Sequence, residues 1–545
     1  MSAVKMTAGR TIAEALLAEG VRHLFGITGD GNLEFVNAIY DSDLRFVLAR
    51  HEQGAAYMAY GYARTRKGLG ACLSMYGPGA TNLLSGVAAA HKGLTPLIAL
   101  TGKHALALQP RGGHQQLDEV SIFRPVTKWS VMVTQAEQVP EIMRKACRIA
   151  LSEPMGPVHI SLPVDLVETK IEARAWRPEQ YRAQREARID AEAVRVTAQT
   201  LSDARAPVII AGREVLWSNA TPHLIRLAER LGLPVTTTGG AIDAFPNVHP
   251  LGLGPFGAWA GWDPANEVVK NADWLLAVGV RFDFDLGSVR APYGIIPRQA
   301  RMIQVNRLPD TIGAIYPVEL GMAGSITGFL EDLLAEADRL DLPQRNPNLA
   351  ALKAAWAAKR AARADSDARP IKPEYAITVI RDAMAEDSVF LADVGNVMSR
   401  TRSYYDTARP DSFSFVEAFG ALGSVFPTAL GVQVAAPERQ VVCLCGDGAF
   451  PMNLAELETS VRERLPVKVF ICNDSGFGSV WTRQKRAYAG RFLGVELLGP
   501  NFANVAREFG AFGERVDDPH ELAGAVRRAL AYSGPAVVDI LTARE

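Results

Sequence analysis

Short, continuous apolar runs alternate along this chain with stretches whose apolar residues recur at helical spacing. Residues 1 to about 170 set HLFGIT, RFVLAR, ACLSMY and PLIAL against NLEFVNAIYD and GAAYMAYGYARTR. The first kind predicts buried strands and the second predicts helices. The rhythm breaks at IEARAWRPEQYRAQREARIDAEA, a charged stretch with few large apolar residues that reads as a linker, and it resumes at APVIIAG near position 206. LPVTTT, WLLAVGV and MIQV continue a second segment. DLPQRNPNLAALKAAWAAKRAARADSDARPIKPE then reads as a basic, proline-flanked connector, and a third segment starts near 370. Strands that are apolar throughout, instead of alternating, belong in parallel sheets covered on both faces. The expectation is an α/β protein of three doubly wound parallel-sheet domains, at 1–170, 190–340 and 365–545.

Composition narrows the function. The 545 residues are 48% hydrophobic and 21% charged with a formal net charge of −1, and both signs are interspersed. That leaves no basic footprint for nucleic acid or an anionic membrane, so the expected partners are small molecules. The N-terminus has neither a signal-peptide core nor the arginine-rich look of a transit peptide, and no window supplies about 18 uninterrupted apolar residues. A soluble, cytoplasmic protein is expected. Cys72, Cys147, Cys443, Cys445 and Cys472 are scattered, mostly within apolar runs, and read as reduced, buried thiols. No further Cys or His pair completes a zinc set with Cys443 and Cys445.

Candidate chemistry concentrates in GDGAFPMNLAELETSVRERLPVKVFICNDSGFG, residues 446 to 478. QVVCLC reads as a buried strand, MNLAELETSVRER carries Leu454, Leu457 and Val461 at helical spacing, and PVKVFIC reads as the next strand. Consecutive strands of such a unit run parallel, so Asp447 and Asp474 emerge at the same carboxyl edge of the sheet. Two oxygen-bearing side chains there, with Gly446 and Gly448 letting backbone amides approach, suit a magnesium ion holding a phosphate group. Taken singly, Gly-Asp-Gly and Asn-Asp-Ser-Gly are also ordinary turns.

The combination resembles the diphosphate-binding motif of thiamine diphosphate (ThDP) enzymes. RHEQGAAYMAYGYAR, YGPGATNLLSGVAAA, PLIALTG, RPVTKWSVMV, ADWLLAVGVRFD and GALGSVFPTALGVQVA extend the resemblance over essentially the whole chain, toward acetohydroxyacid (acetolactate) synthase, pyruvate oxidase and benzoylformate decarboxylase. It implies a pyrimidine-binding domain, a central Rossmann-like domain and a diphosphate-binding domain, with ThDP and Mg2+ as cofactors. Asp447, Asp474 and the Gly476 carbonyl match the metal ligands. Asn82, Asn396, Gly420, Leu422, Gly448 and Ala449 match cofactor contacts, Leu422 as the apolar wedge between the two rings, although Val397 stands where some relatives carry histidine. Glu52 matches the glutamate that hydrogen-bonds the aminopyrimidine and favours the tautomer that deprotonates the thiazolium carbon. Because the cofactor would bridge domains that belong to different subunits in this family, a homodimer or homotetramer is expected.

The same resemblance places Thr28, Gly29, Asp30, His114, Gln115, Val480, Trp481 and Arg483 at the substrate. Gln115 agrees with acetohydroxyacid synthase, whereas His114, Asp30 and Arg483 replace its phenylalanine, glycine and tryptophan and imply a more polar pocket. His51 and His114 are candidate proton carriers. The central GVRFDFD resembles flavin-binding relatives, but Asn306 stands where relatives holding an adenine nucleotide often carry an acidic residue, which leaves FAD an open expectation. The implied activity is a 2-oxoacid decarboxylase or carboligase of the acetolactate synthase type, acting on a 2-oxo acid or hydroxyketone. The alternatives are a hydroxyketone or 2-hydroxyacyl-CoA lyase and, outside enzymes, a catalytically silent ThDP- or nucleotide-binding subunit. Retention of Glu52 argues against the silent subunit.

Overall fold

A computed structural model describes residues 4–173, 176–183, 186–257, 261–282, 295–297, 299–414 and 419–544. Asp283, Phe284 and Asp285, which end the flavin-like GVRFDFD stretch, lie outside the described residues.

The apolar runs become three six-stranded sheets, each parallel throughout. In the first sheet the order is Arg45–Leu48, His23–Gly26, Gly70–Ser74, Leu97–Lys103, Pro157–Pro163, Trp129–Met132. The third sheet repeats that order with Phe413–Ser414, Val389–Ala392, Val441–Gly446, Lys468–Asn473, Ala536–Leu541 and Phe512–Val516. The middle sheet runs Gly252–Pro255, Val235–Thr237, Pro207–Ala211, Trp274–Val278, Arg301–Asn306, Leu320–Ala323, the doubly wound arrangement of dinucleotide-binding folds. All five cysteines are buried and unpaired.

The first and third domains share one apolar core, in which Phe25, Tyr57, Tyr60 and Leu83 join Phe426, Leu430, Leu457 and Ile471. Its centre is the crossing of helix Glu52–Arg66 with helix Val425–Ala435. A Cβ on Gly61 would collide with the Thr428 carbonyl and one on Gly431 with the Met58 carbonyl, so the two backbones touch where only hydrogen fits. The middle domain has separate cores of its own.

Two stretches expected to be connectors carry structure. Ile171, Glu172 and Ala173, at the start of the expected linker, belong to strand Lys170–Ala173, which pairs antiparallel with Val4–Thr7. The basic connector after the middle domain forms helix Ala350–Arg363. Leu349 and Trp356 are buried in a middle-domain core, Trp356 lies 5.9 Å from the Trp262 ring, and Lys353 donates to the Asn247 and Gly252 carbonyls at 3.2 and 2.8 Å. The inward spacing of Leu349, Leu352, Lys353, Trp356 and Arg360 is helical, and the alanines and basic residues between them hide it in a reading of composition.

Gly431→Val is expected to force the two central helices apart. It should lower stability by at least ~1–3 kcal/mol, read as an earlier thermal transition in which the first and third domains loosen together.

Candidate active site

At the carboxyl edge of the third sheet the chain reverses order between Val389–Ala392 and Val441–Gly446, the place where open α/β sheets leave a crevice. A cleft opens there, lined by Asn396, Leu422, Asp447, Gly448, Ala449, Asp474, Gly476 and Val480 among others. Gly446 and Cys472 are register partners, so the two aspartates leave neighbouring strand ends side by side. Asp447 is buried, and its Oδ2 accepts the Gly476 amide at 3.0 Å. Oδ1 of Asp474 is buried without a hydrogen-bond partner. Burial and then the charge of Asp447 push the Asp474 carboxyl up to about 6, and burial also raises Asp447. Arg544 holds the loop from behind by donating to the Asp474 carbonyl at 3.0 Å and pairing with Glu496 at 2.6 Å.

Two helix N-termini face this cleft, Asn396–Tyr404 behind Gly395 at φ 116° and Gly478–Ala487. A Cβ on Gly478 would lie 2.6 Å from Asp474 Oδ2 and 3.2 Å from Asn396 Nδ2, so the three converge on one point. Gly446 faces open space, whereas a Cβ on Gly448 would meet the Phe477 ring at 2.8 Å. Asp393 organises the opposite wall: its Oδ1 accepts the amides of Val394 at 2.7 Å and Gly423 at 3.2 Å, tying the turn before Asn396 to the loop of Leu422. Among the described residues no three His, Cys, Asp or Glu side chains are grouped to hold a metal. A cation here must draw on the two aspartates, backbone carbonyls and an anionic ligand. A carboxylate oxygen without a hydrogen-bond partner, 3.9 Å from Arg544 Nε, two mutually repelling acids and two helix N-termini fit a hydrated Mg2+ with a diphosphate.

Glu52 stands elsewhere. It opens helix Glu52–Arg66, is buried, and accepts the Asn82 amide at 3.0 Å, with Gly79 close to its other oxygen. His51 caps that helix, its Nδ1 accepting the Gln53 amide at 3.1 Å, which commits one ring nitrogen of a candidate proton carrier to structure. Glu456, from the third domain, accepts the amides of Arg50 and His51 at 3.1 Å and so clamps the start of the same helix. Thr28, Gly29 and Asp30 follow strand His23–Gly26 at the carboxyl edge of the first sheet, held by Asn32, whose side chain bonds Gly29 and Ile27 at 3.0 Å. His114 is exposed with its carbonyl 2.7 Å from His104 Nε2, and Gln115, at φ 61°, presses on Gly77. Buried Lys103 anchors this loop by bonding Glu119 and the Leu117 carbonyl.

The cleft gathers most of the expected third-domain residues, but not all of them. Gly420 is exposed at φ 70° outside the lining, Trp481 stacks on Phe492 at 5.0 Å, and Arg483 is exposed. Among the described residues, all that line the cleft fall between Pro373 and Ala543, so neither Glu52 nor any other first-domain residue reaches it. Sequence reading missed Asp393, Glu456 and Arg544. Only Glu456 lay inside a quoted motif, and Arg544 acts on a loop 70 residues upstream.

The central cleft fits an adenine dinucleotide poorly. It opens at the middle-domain switch point, where Asn306 is buried and donates to Glu214 Oε1 at 3.1 Å while the Arg307 amide donates to Oε2 at 2.7 Å. A carboxylate of the chain already holds donors that a diphosphate would need.

An acidic cleft at one carboxyl edge and a buried, helix-start glutamate at another fit the α/β thiamine diphosphate enzymes. Family models for the N-terminal TPP binding domain, the central domain and the C-terminal TPP binding domain of thiamine pyrophosphate enzymes match residues 6–122, 194–333 and 393–540. This chain belongs to that family. It is 33% identical to the probable acetolactate synthase large subunit of Methanocaldococcus jannaschii, covering 98% of this chain and 92% of the relative. Identity to the acetolactate synthase isozyme 3 large subunit of Escherichia coli is 31%, over 96% and 92%. To the sulfoacetaldehyde acetyltransferase of Castellaniella defragrans it is 28%, over 99% and 94%.

Asp447→Ala is expected to abolish Mg2+-dependent ThDP binding in a calorimetric titration. Asp393 provides a pH test away from the cation. Burial pushes its carboxyl up to about 7, so the folded chain holds that proton more tightly than the unfolded one. Its contribution is complete below the ordinary carboxylate range and is lost as pH rises toward about 7, above which the full cost of a buried charge remains. Asp393→Asn keeps the acceptor oxygen and cannot ionise, so melting temperature should fall less between about pH 5 and 8 than in the parent.

Proposed function

We propose that this protein is a ThDP- and Mg2+-dependent carboligase of the acetolactate synthase type, which decarboxylates a 2-oxo acid and joins the remaining fragment to a second carbonyl compound. The observation that carries the reading is the pairing of a buried, helix-start Glu52 with a cation cleft that it does not reach within its own chain. When bound, ThDP supplies the nucleophilic thiazolium carbon and the electron sink. Asp447, Asp474 and the Gly476 carbonyl would hold Mg2+, and Asn396, Gly448 and Ala449 the diphosphate. Leu422, in the cleft lining, would be the apolar wedge between the cofactor's rings. Glu52, oriented by Asn82, holds the proton at the pyrimidine ring and favours the tautomer that accepts the thiazolium proton.

The separation of the two half-sites is resolved by a second copy, whose first domain brings Glu52 to this chain's third-domain cleft. Exposed apolar side chains occur in both halves: Val480 in the cleft lining with Leu493 and Leu498 after its helix, and Leu33, Leu108 and Leu117 in the first domain. The working unit is therefore at least a homodimer. Among the described residues no helix is long and apolar enough to cross a membrane, which agrees with a cytoplasmic enzyme acting on small molecules.

A second reading is favoured by Arg483 and Arg486, three and six residues beyond Val480 on the cleft helix, exposed and without an ion pair among the described residues. One relative is named for sulfoacetaldehyde, and a substrate carrying a sulfonate or similar anion suits that rim.

The assay follows carbon dioxide and products from pyruvate by mass spectrometry, with ThDP and Mg2+, with and without an added aldehyde or 2-oxo acid. A ligated product supports the carboligase. Release only with anion-bearing compounds supports the second reading, and no turnover of any of these substrates by cofactor-loaded enzyme overturns both. Glu52→Gln should retain ThDP while turnover falls ~100-fold or more, and an unchanged rate would remove Glu52 from its role.

A further inference from the structure

The middle domain has the strand order and the switch-point cleft of a dinucleotide site, and the flavin-like GVRFDFD stretch leaves FAD as the occupant to be tested. That cleft lies between Pro207–Ala211 and Trp274–Val278 and is lined by Gly212, Arg213, Glu214, Gly279, Arg281 and Arg307, with Leu94, Glu153 and Met155 of the first domain as the far wall. A dinucleotide needs three things at such a point: a glycine-only approach for the pyrophosphate, free donors at the following helix start, and an acceptor for the ribose at the next strand end.

This chain's own groups already engage the polar atoms at that point: the Glu214 amide donates to the Gly279 carbonyl at 3.3 Å and the Val215 amide to the Gly212 carbonyl at 3.1 Å. Arg213 follows Gly212 directly and reaches the Gly93 carbonyl of the first domain at 3.3 Å. Glu214 places a carboxylate at the helix start, where its two oxygens take the Asn306 side chain and the Arg307 amide. Burial raises its proton affinity, so further negative charge beside it is disfavoured. The acidic position at the end of Arg301–Asn306 is Asn306, a donor already committed. The Arg307 guanidinium, which could have faced a diphosphate, pairs instead with Glu153 at 2.7 Å and Glu186 at 2.8 Å.

We propose that the central domain is flavin-free and that its cleft is a fastener. Glu214, Arg307, Glu153, Glu186 and Arg213 lock the middle domain to the first domain and to the chain between them, in place of a nucleotide. The catalytic cycle then has no resident redox centre, and the middle domain serves to hold the first domain's loops in position.

The test uses the full-length enzyme loaded with ThDP and Mg2+, incubated with excess FAD and passed through gel filtration. Retained ThDP establishes an intact holoenzyme, and flavin is read from the absorbance of the acid-released supernatant. No retained flavin and no FAD-dependent rise in melting temperature is the expected result, whereas about one flavin per chain, as in a resident cofactor site, overturns the proposal. For the fastener, Arg307→Met should lower the melting temperature and speed proteolysis between residues 174 and 190, and Arg307→Lys should restore part of the loss. Unchanged melting and proteolysis in Arg307→Met would overturn that role. Neither readout depends on substrate turnover, so failure here is distinguishable from failure of the carboligase reading.

Discussion

The backbone contact between helix Glu52–Arg66 and helix Val425–Ala435 is the constraint on which the catalytic design depends. Helices usually keep 8 to 10 Å between axes because side chains intervene. Here Gly61 and Gly431 remove the intervening atoms at the crossing, and the apolar core continues through it from the first sheet into the third. A close crossing of this kind resists sliding, since any shift brings a Cβ or a carbonyl into contact. Glu456 adds a directional term, a buried carboxylate on the amides at the positive end of the helix that begins with Glu52. The orientation of the Glu52 carboxylate is thus set by the third domain of its own chain, although the third-domain cleft it is proposed to serve is that of a second copy.

That division follows from the repeated topology. The first and third sheets have the same strand order, and both present their chemistry at the carboxyl edge. One edge carries Glu52 and the loops with Asp30 and His114, while the other carries Asp447, Asp474 and two helix starts. Two domains welded back to back by their helices cannot also bring those edges face to face. A symmetric pair of chains can, and it generates two identical sites from a single interface. The exposed apolar side chains in both domains are the surface such a pairing would bury.

Much of this was legible in the sequence. Continuous apolar runs gave the three parallel sheets, and the interval from Asp447 to Asp474 spans one strand, one helix and one strand, which brings their carboxylates to neighbouring strand ends. What escaped was of two kinds. The helix Ala350–Arg363 was hidden because only its inward stripe is apolar, with Trp356 the single large residue there, and amphipathic signal is lost in a composition count. Asp393, Glu456 and Arg544 act through backbone groups far away in sequence, and no local pattern encodes which amide or carbonyl a side chain will meet after folding. Trp481 has a local partner that its sequence position does not announce. Its position matched a substrate-facing one, but stacking on Phe492 gives a large ring more contact than the open rim of the cleft does.

The two clefts of this chain also show why fold alone does not decide ligand. The central and third domains each bind, or could bind, at a switch point, with a glycine turn and a helix start on the same side of a parallel sheet. In the third domain the acidic groups at that point include one oxygen without a hydrogen-bond partner and repel each other, a balance that a divalent cation and a phosphate ligand would correct together. In the central domain the acidic group is Glu214, and it is already satisfied by Asn306 and the Arg307 amide. Unsatisfied charge invites a ligand, and satisfied charge substitutes for one. On the proposed reading the same local geometry serves chemistry in one domain and cohesion in the other, with the difference residing in a few side chains and not in the path of the backbone.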